Sequence, residues 1–371
     1  MSSSSRKKSR SKSVPPLHSK LANKIVSESL NLKPGETLTI EAWNNGLDFA
    51  KEVVKSAKKI GAFPLLIFED EDTYIWGLNN TPKEALGKMG KHELGLLSST
   101  DAYVFIPGPS IGTYTPSIPK EQGSAGTAYN SSWYEAAENA GVRGVRLTFG
   151  YVGPDLAKIL GKKTEDIVLR QMKAALVSSD EILKTGTPIM QRLSDGTKAK
   201  LETAAGTLEF RLNGDLGIED GIASEADVAA KNNISYVLAG MIWKEVDAES
   251  ANGKVTITSS ITRAGWINGA VLEFRNGRLV SWKGKDKQNQ QKLDKILSDV
   301  PEEKRKLTMI TIGLNPEISY GFAQDRFVSG AISLSGFGLS AVASKGTLTV
   351  ESDTLVQKGK VATLSEVVAL P

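Results

Sequence analysis

Cysteine is absent from all 371 residues, which excludes disulfides, thiolate nucleophiles and every cysteine-ligated metal site at once. Histidine is nearly absent: His18 and His92 are the only two. A Ser-His-Asp arrangement or a histidine-rich metal site cannot therefore draw an imidazole from anywhere beyond residue 92. No uninterrupted apolar run approaches the roughly 20 residues of a membrane span. The N-terminal "MSSSSRKKSRSKSVPPLHSK" has a basic region with no apolar core behind it, so no signal peptide is expected either. The expected location is the cytoplasm, with no membrane partner.

The body of the chain also lacks an excess of positive charge. Six of the 46 basic residues lie within the first 20 positions, leaving 40 against 42 acidic residues in the remainder. The pI near 8.9 thus belongs to the tail, and net charge does not mark the body as a nucleic-acid surface. Residues 1–16, rich in Ser, Lys and Arg and closed by Pro15-Pro16, read as a disordered basic tail. Its Arg6, Lys7, Lys8, Arg10 and Lys12 form a candidate anion-binding arm, able to attract nucleic acid weakly and salt-sensitively.

What remains is long enough for two domains, each with its own core, and its hydrophobic content of 40% is that of a globular chain. Residues 17–190 read as an α/β domain with a mostly parallel sheet. "TLTIEAW" (37–43), "FPLLIFE", "DAYVFIPG" and "GVRLTFG" are short apolar strands separated by helical patterns. The helix after the first strand repeats Leu47, Ala50, Val53, Val54, Ala57 and Ile60, with Gly61 placed to close it. Thr81-Pro82-Lys83-Glu84 predicts one helix running toward Leu97, and "SSWYEAAENAG" another. Residues 191–371 read as a β-rich α+β domain: "KAKLETA", "TLEFRLNG", "SYVLAGMIW", "GKVTITSSITRAGW" and "AVLEFRNGRLVSW" succeed one another, with Asn276-Gly277 as a hairpin signal. The helix "KDKQNQQKLDKILSD" interrupts them.

Few segments carry recognisable chemistry. The acidic run at 69–72 reads as a solvated corner after a strand, and "NGDLGIEDG" (213–221) as a turn lacking the alternating register of a calcium loop. "IPGPSIGTYTP" (106–116) could offer backbone amides to a phosphate, yet it matches neither the Walker pattern nor GxGxxG. His92 lies in "GKHELG", where Leu96 breaks any HExxH.

Taken together the landmarks resemble the thermophilic metallo-aminopeptidases typified by aminopeptidases T and S. "LNLKPGETLTIEA" is similar to that family's opening strand, "AKEVVKSAKKIGAFP" to its first helix, and "RLTFGYVGPDLAKILGKKTED" to the segment joining its domains. "GTLEFRLNG" is similar to the strand opening its second domain, and "NPEISYGF" sits where the family has a Gly-x-Asn segment. The resemblance implies an α/β domain followed by a β-rich domain carrying the active site, and a homodimer. It also implies an N-terminal exopeptidase using two divalent cations (Zn, Co or Mn), held by two glutamates, two histidines and an aspartate, with an assisting tyrosine. Such hydrolysis needs a metal-activated water and a charge facing the oxyanion.

This chain departs from its relatives at those ligands. The glutamate positions fall on Met241 in "GMIWKEVDAESANG" and Met309 in "LTMITIGLN". The first histidine falls on Ser333 in "GAIS"; the Ser-x-x-His-x-Asp run falls on Ser344, Thr347 and Thr349, and no tyrosine follows Tyr320. Methionine is about as long as glutamate and fills apolar gaps, but its thioether is a poor ligand for hard or borderline cations. The expectation is therefore an aminopeptidase homologue without the two-metal site, non-catalytic or of altered activity, with no cofactor and with room for a peptide-like ligand. Met241, Met309, Ser333 and Thr347 are expected close together in an interior that has become core. The alternatives are an active peptidase with a carboxylate cation site at Glu209, Asp215, Glu245 and Glu249, and a nucleic-acid-associated protein acting through its tail. The homodimer is expected to form through the apolar strands at 326–342.

Overall fold

The computed structural model describes residues 16–108, 120–262 and 265–364. The basic tail and most of the 106–116 loop lie outside the described residues. Four strands, β1 (Thr37–Trp43), β2 (Phe63–Glu69), β3 (Ala102–Ile106) and β4 (Arg143–Leu147), pair in parallel in the order β2-β1-β3-β4. The helix Leu47–Lys59 buries Phe49, Ala50, Val53 and Ala57 against β1 and β2, the face its 3.6-residue period requires. It ends as expected at Gly61, whose φ of +83° suits a residue without Cβ.

Three local expectations change. The helix foreseen from Thr81 to Leu97 is two, Lys83–Leu86 and Lys91–Leu97; Gly87 and Gly90 interrupt it, and the Glu93 carboxylate accepts the Gly90 N–H at 2.6 Å to start the second. The acidic run at 69–72 is a helix start: Asp70 accepts the Thr73 N–H at 2.9 Å and caps Glu71–Asn80. The segment 213–219 is strand and not a turn, because one long strand covers Gly206–Glu219.

The helix Ser179–Met190 leads into the second domain through β5 (Lys198–Thr203) and β6 (Gly206–Glu219). The chain then returns to the first sheet. β7 (Ile234–Val237) adds itself in parallel beside β4, so the "SYVLAGMIW" run expected as one strand is split between two sheets. After Gly240 the second sheet resumes with β8 (Met241–Val246), β9 (Asn252–Ile257), the small pair β10 (Ser260–Thr262) and β11 (Gly265–Ile267), then β12 (Ala270–Arg275) and β13 (Arg278–Gly284). The helix Lys287–Leu297, capped by Asp286, precedes β14 (Met309–Gly313), β15 (Ile332–Ser335), β16 (Ser340–Ala343), β17 (Thr347–Val350), β18 (Asp353–Gln357) and β19 (Lys360–Val361). Apart from β10 and β11, which form a separate two-stranded sheet, these strands with β5 and β6 form an antiparallel sheet in the order β16-β15-β14-β8-β6-β5-β17-β18-β19, with β9, β12 and β13 branching from β6. Asn276 and Gly277 both take positive φ in the β12-β13 turn, as a two-residue hairpin demands.

Each domain has its own core, and polar clamps hold the two together. The Asn315 side chain, fully buried, donates to Ala174 O (3.0 Å) and Ala239 O (2.7 Å) and accepts from the N–H groups of Glu317 and Ile318. Across the same seam Gln171 donates to Phe322 O at 2.9 Å, while within the first domain Lys24 donates to Ala175 O and Val177 O at the end of the helix Thr164–Ala174.

Candidate functional site: the cavity between the domains

A cavity of about 400 Å³ lies where β7 of the parallel sheet faces the second sheet, within the range of small-molecule sites (roughly 300–1,000 Å³). Its floor follows from strand register. Directly opposed residues share a sheet face, as do residues two apart along a strand. Glu219 is opposite Met241 and Met241 opposite Gly313; Trp243 is opposite Thr311 and Thr311 opposite Ser333; Met309 is opposite Ser335 and Ser335 opposite Ser340. One face of β6, β8, β14, β15 and β16 therefore presents these residues, and Ile234, Ser235 and Tyr236 of β7 stand across from it.

Met241 and Met309 both line this cavity and are half-buried. They are not neighbours, since the rung holding Trp243 and Thr311 separates them; four residues along a strand is about 13 Å. Nor has the site closed into core, because the space in front of them is open. Ser333 shares that sheet face beside Thr311 but is fully buried, its hydroxyl 3.4 Å from that of Ser340. Thr347 and Thr349 are elsewhere. They belong to β17, which pairs with β5 and β18, and Thr349 lines a separate groove with Lys198 and Arg211. The strand beside Ser333 is β16, and its Ser340 is the residue that reaches the cavity.

The four carboxylates considered as a cation site do not converge. Glu209 lines the groove of Thr349, Glu249 pairs with Lys306, and the Glu245 carboxylate accepts the Asp215 N–H at 3.1 Å. Among the described residues no three His, Asp or Glu side chains are grouped to hold a metal. His18 packs edge-on against Phe49 in the first core, and His92 lies on the helix Lys91–Leu97.

Two of the charged cavity residues carry no site role in the sequence reading, Glu219 because its stretch reads as a turn and Arg326 because nothing singles it out. Glu219 ends β6 with its carboxyl buried; burial pushes its pKa up to about 7, against hydrogen bonds from the Ser235 hydroxyl and the backbone N–H groups of Tyr236 and Gly221. The alternation in "GDLGIE" was its signal, obscured by the glycines. Arg326, in the short turn Asp325–Phe327, is half-buried, with its guanidinium carbon 5.2 Å from its neighbour's ring centroid at Phe327. Burial lowers its pKa, opposed by the nearby Tyr236 and Glu219. No sequence motif announces it. Thr311 adds a buried hydroxyl without a hydrogen-bond partner.

A parallel α/β domain, an antiparallel domain and a cavity between them together define a two-domain architecture found among metallopeptidases. The chain belongs to the thermophilic metalloprotease (M29) family, whose sequence model matches residues 16–299. That match ends ahead of Met309, Arg326 and the serines of β15 and β16. The fold is similar to wild-type AmpT from Thermus thermophilus, with a TM-score of 0.65 at 14% identity over 94% of this chain and 99% of that one. It is also similar to 2,5-dihydroxypyridine dioxygenase from Pseudomonas putida KT2440, with a TM-score of 0.62 at 11% identity over 93% and 96%. No curated protein matches the chain.

Proposed function

We propose that this family member has exchanged two-metal peptide hydrolysis for metal-independent binding of a small molecule in the interdomain cavity. The observation that carries the reading is the donor set. A peptidase metal takes imidazole nitrogens and carboxylate oxygens, whereas the cavity floor presents Met241, Trp243, Met309, Thr311, Ser335 and Ser340. The cavity's three carboxyls are engaged by the chain itself. Glu219 accepts from Ser235, Asp220 from Ser179 (2.9 Å) and Ile222 N–H (3.0 Å), and Asp227 from Ser224 in a helix cap. These residues do not fit a pair of divalent cations. The end of the family match at residue 299 supports the same reading.

The test is release of N-terminal amino acids from leucyl and aromatic amide substrates by the full chain, with and without added Zn²⁺, Co²⁺ or Mn²⁺. The expected rate is that of buffer in every case; metal-stimulated turnover removed by a chelator would return the chain to the peptidases.

A further inference from the structure

Resting on the reading of the cavity as a metal-independent ligand site, we propose that its ligand is a small organic monocarboxylate with an apolar or aromatic body, gripped through its carboxylate by Arg326. A guanidinium offers five N–H donors in a fixed fork that matches a carboxylate in two parallel hydrogen bonds. Arg326 lines the cavity, and among the described residues no hydrogen bond or ion pair occupies its guanidinium. Tyr236 and Glu219 act on its charge from nearby but leave its donors unbonded among the described residues, and withdrawing such donors from water is costly, so the arrangement favours an anion supplied from outside. The cavity's other charged residues already have partners, as described above.

The walls set the rest of the ligand's chemistry. Ile218, Met241, Trp243 and Met309 offer apolar and aromatic contact, and methionine adapts to varied shapes while favouring aromatic rings. The Thr311 hydroxyl, buried and without a partner, is a further donor on the same floor. Asp220 and Asp227 also line the cavity and repel dianions and polyanions, so a phosphate ester is disfavoured against a single carboxylate. A carboxylate can come from a free organic acid or from a peptide C-terminus, and the size of the cavity favours the free acid.

Isothermal titration calorimetry on the full chain tests this with 3-phenylpropionate, its neutral amide 3-phenylpropionamide, inorganic phosphate and an N-acetylated dipeptide acid, each with and without a chelator. The acid is expected to bind about tenfold or more tighter than the amide, a difference of about 1.4 kcal/mol, and phosphate not at all. Arg326→Gln should erase the preference for acid over amide, and Arg326→Lys should keep part of it, since lysine retains the charge without the fork. Tighter binding of the dipeptide acid would place the carboxylate on a peptide while leaving its recognition by Arg326 intact. Equal binding of acid and amide by the wild type, binding of phosphate as tight as that of the acid, or no binding of either carboxylate would overturn the inference, and none of these requires a variant to fold. Acid binding that vanishes with the chelator would instead overturn the metal-independent reading on which the inference rests.

Discussion

Asn315 shows how one side chain can hold this architecture together. It closes the "IGLN" segment that follows β14, and its amide joins the end of a first-domain helix to the link before β8. Gly240 permits that approach, because a Cβ there would stand 2.9 Å from both Asn315 N and Asn315 Cβ. Asn315→Ala would remove all four bonds, leaving the Ala239 carbonyl and the buried Ile318 N–H without these partners while Ala174 O keeps the Val177 N–H, and a loss of roughly 3 kcal/mol is expected; a shift under about 1 kcal/mol in urea unfolding would contradict this role. The Gly-x-Asn likeness was legible in the sequence. The bonds to Ala174 and Ala239 were not, since they join residues far apart along the chain. Met241 and Met309 were legible as departures from a ligand pattern, whereas Arg326 and Glu219 were not, because a cavity is assembled from register and a single turn, neither of which has a local signature.

At the scale of elements, strand and helix periods revealed the first four parallel strands, the Asn276-Gly277 hairpin and the helix after β13. They did not reveal β7, four residues long, whose place in the first sheet depends on a return that no local period encodes. The first sheet also carries a titrating device. Half-buried Glu41 of β1 has its carboxyl shielded from water, where it accepts a hydrogen bond from the Tyr103 hydroxyl of β3; burial of that group pushes its pKa up to about 7. The folded chain therefore keeps a proton that the unfolded chain releases near pH 4.5, and folding is favoured most below that pH. Stability should decline as pH rises through about 7, by about 3 kcal/mol for a shift of this size, and Glu219 acts in the same direction. Glu41→Gln should flatten the decline in denaturant midpoint between pH 5 and pH 8; an unchanged slope would show that Glu41 is ionised throughout.

For the whole molecule, the helix Pro16–Lys24 is a strap across the domain edge and not part of a tail. Leu21 and Ala22 are fully buried, and Lys24 holds the carbonyls of Ala175 and Val177 at 2.9 and 2.5 Å. Burial lowers its pKa, which charge-assisted bonds to the two carbonyls offset. Lys24→Met should cost about 2 kcal/mol in thermal unfolding, and no change in melting temperature would refute the strap. In the stretch 326–342 Phe327, Ile332, Leu334, Phe337 and Ala341 are buried within this chain, and the large exposed apolar side chains Phe63, Leu65, Phe68 and Trp76 belong to the first domain. Among the described residues no helix is long and apolar enough to cross a membrane.

The proposal of metal-independent binding rests on a cavity floor of thioethers, an indole and hydroxyls. The most direct measurement is elemental analysis of the full chain after saturation with Zn²⁺, Co²⁺ and Mn²⁺ and exhaustive dialysis. The account predicts substoichiometric metal of every kind, with Met309→Ala no different from the wild type. Retention of one or two equivalents of a divalent metal per chain, lost on substitution of residues lining the cavity, would contradict it.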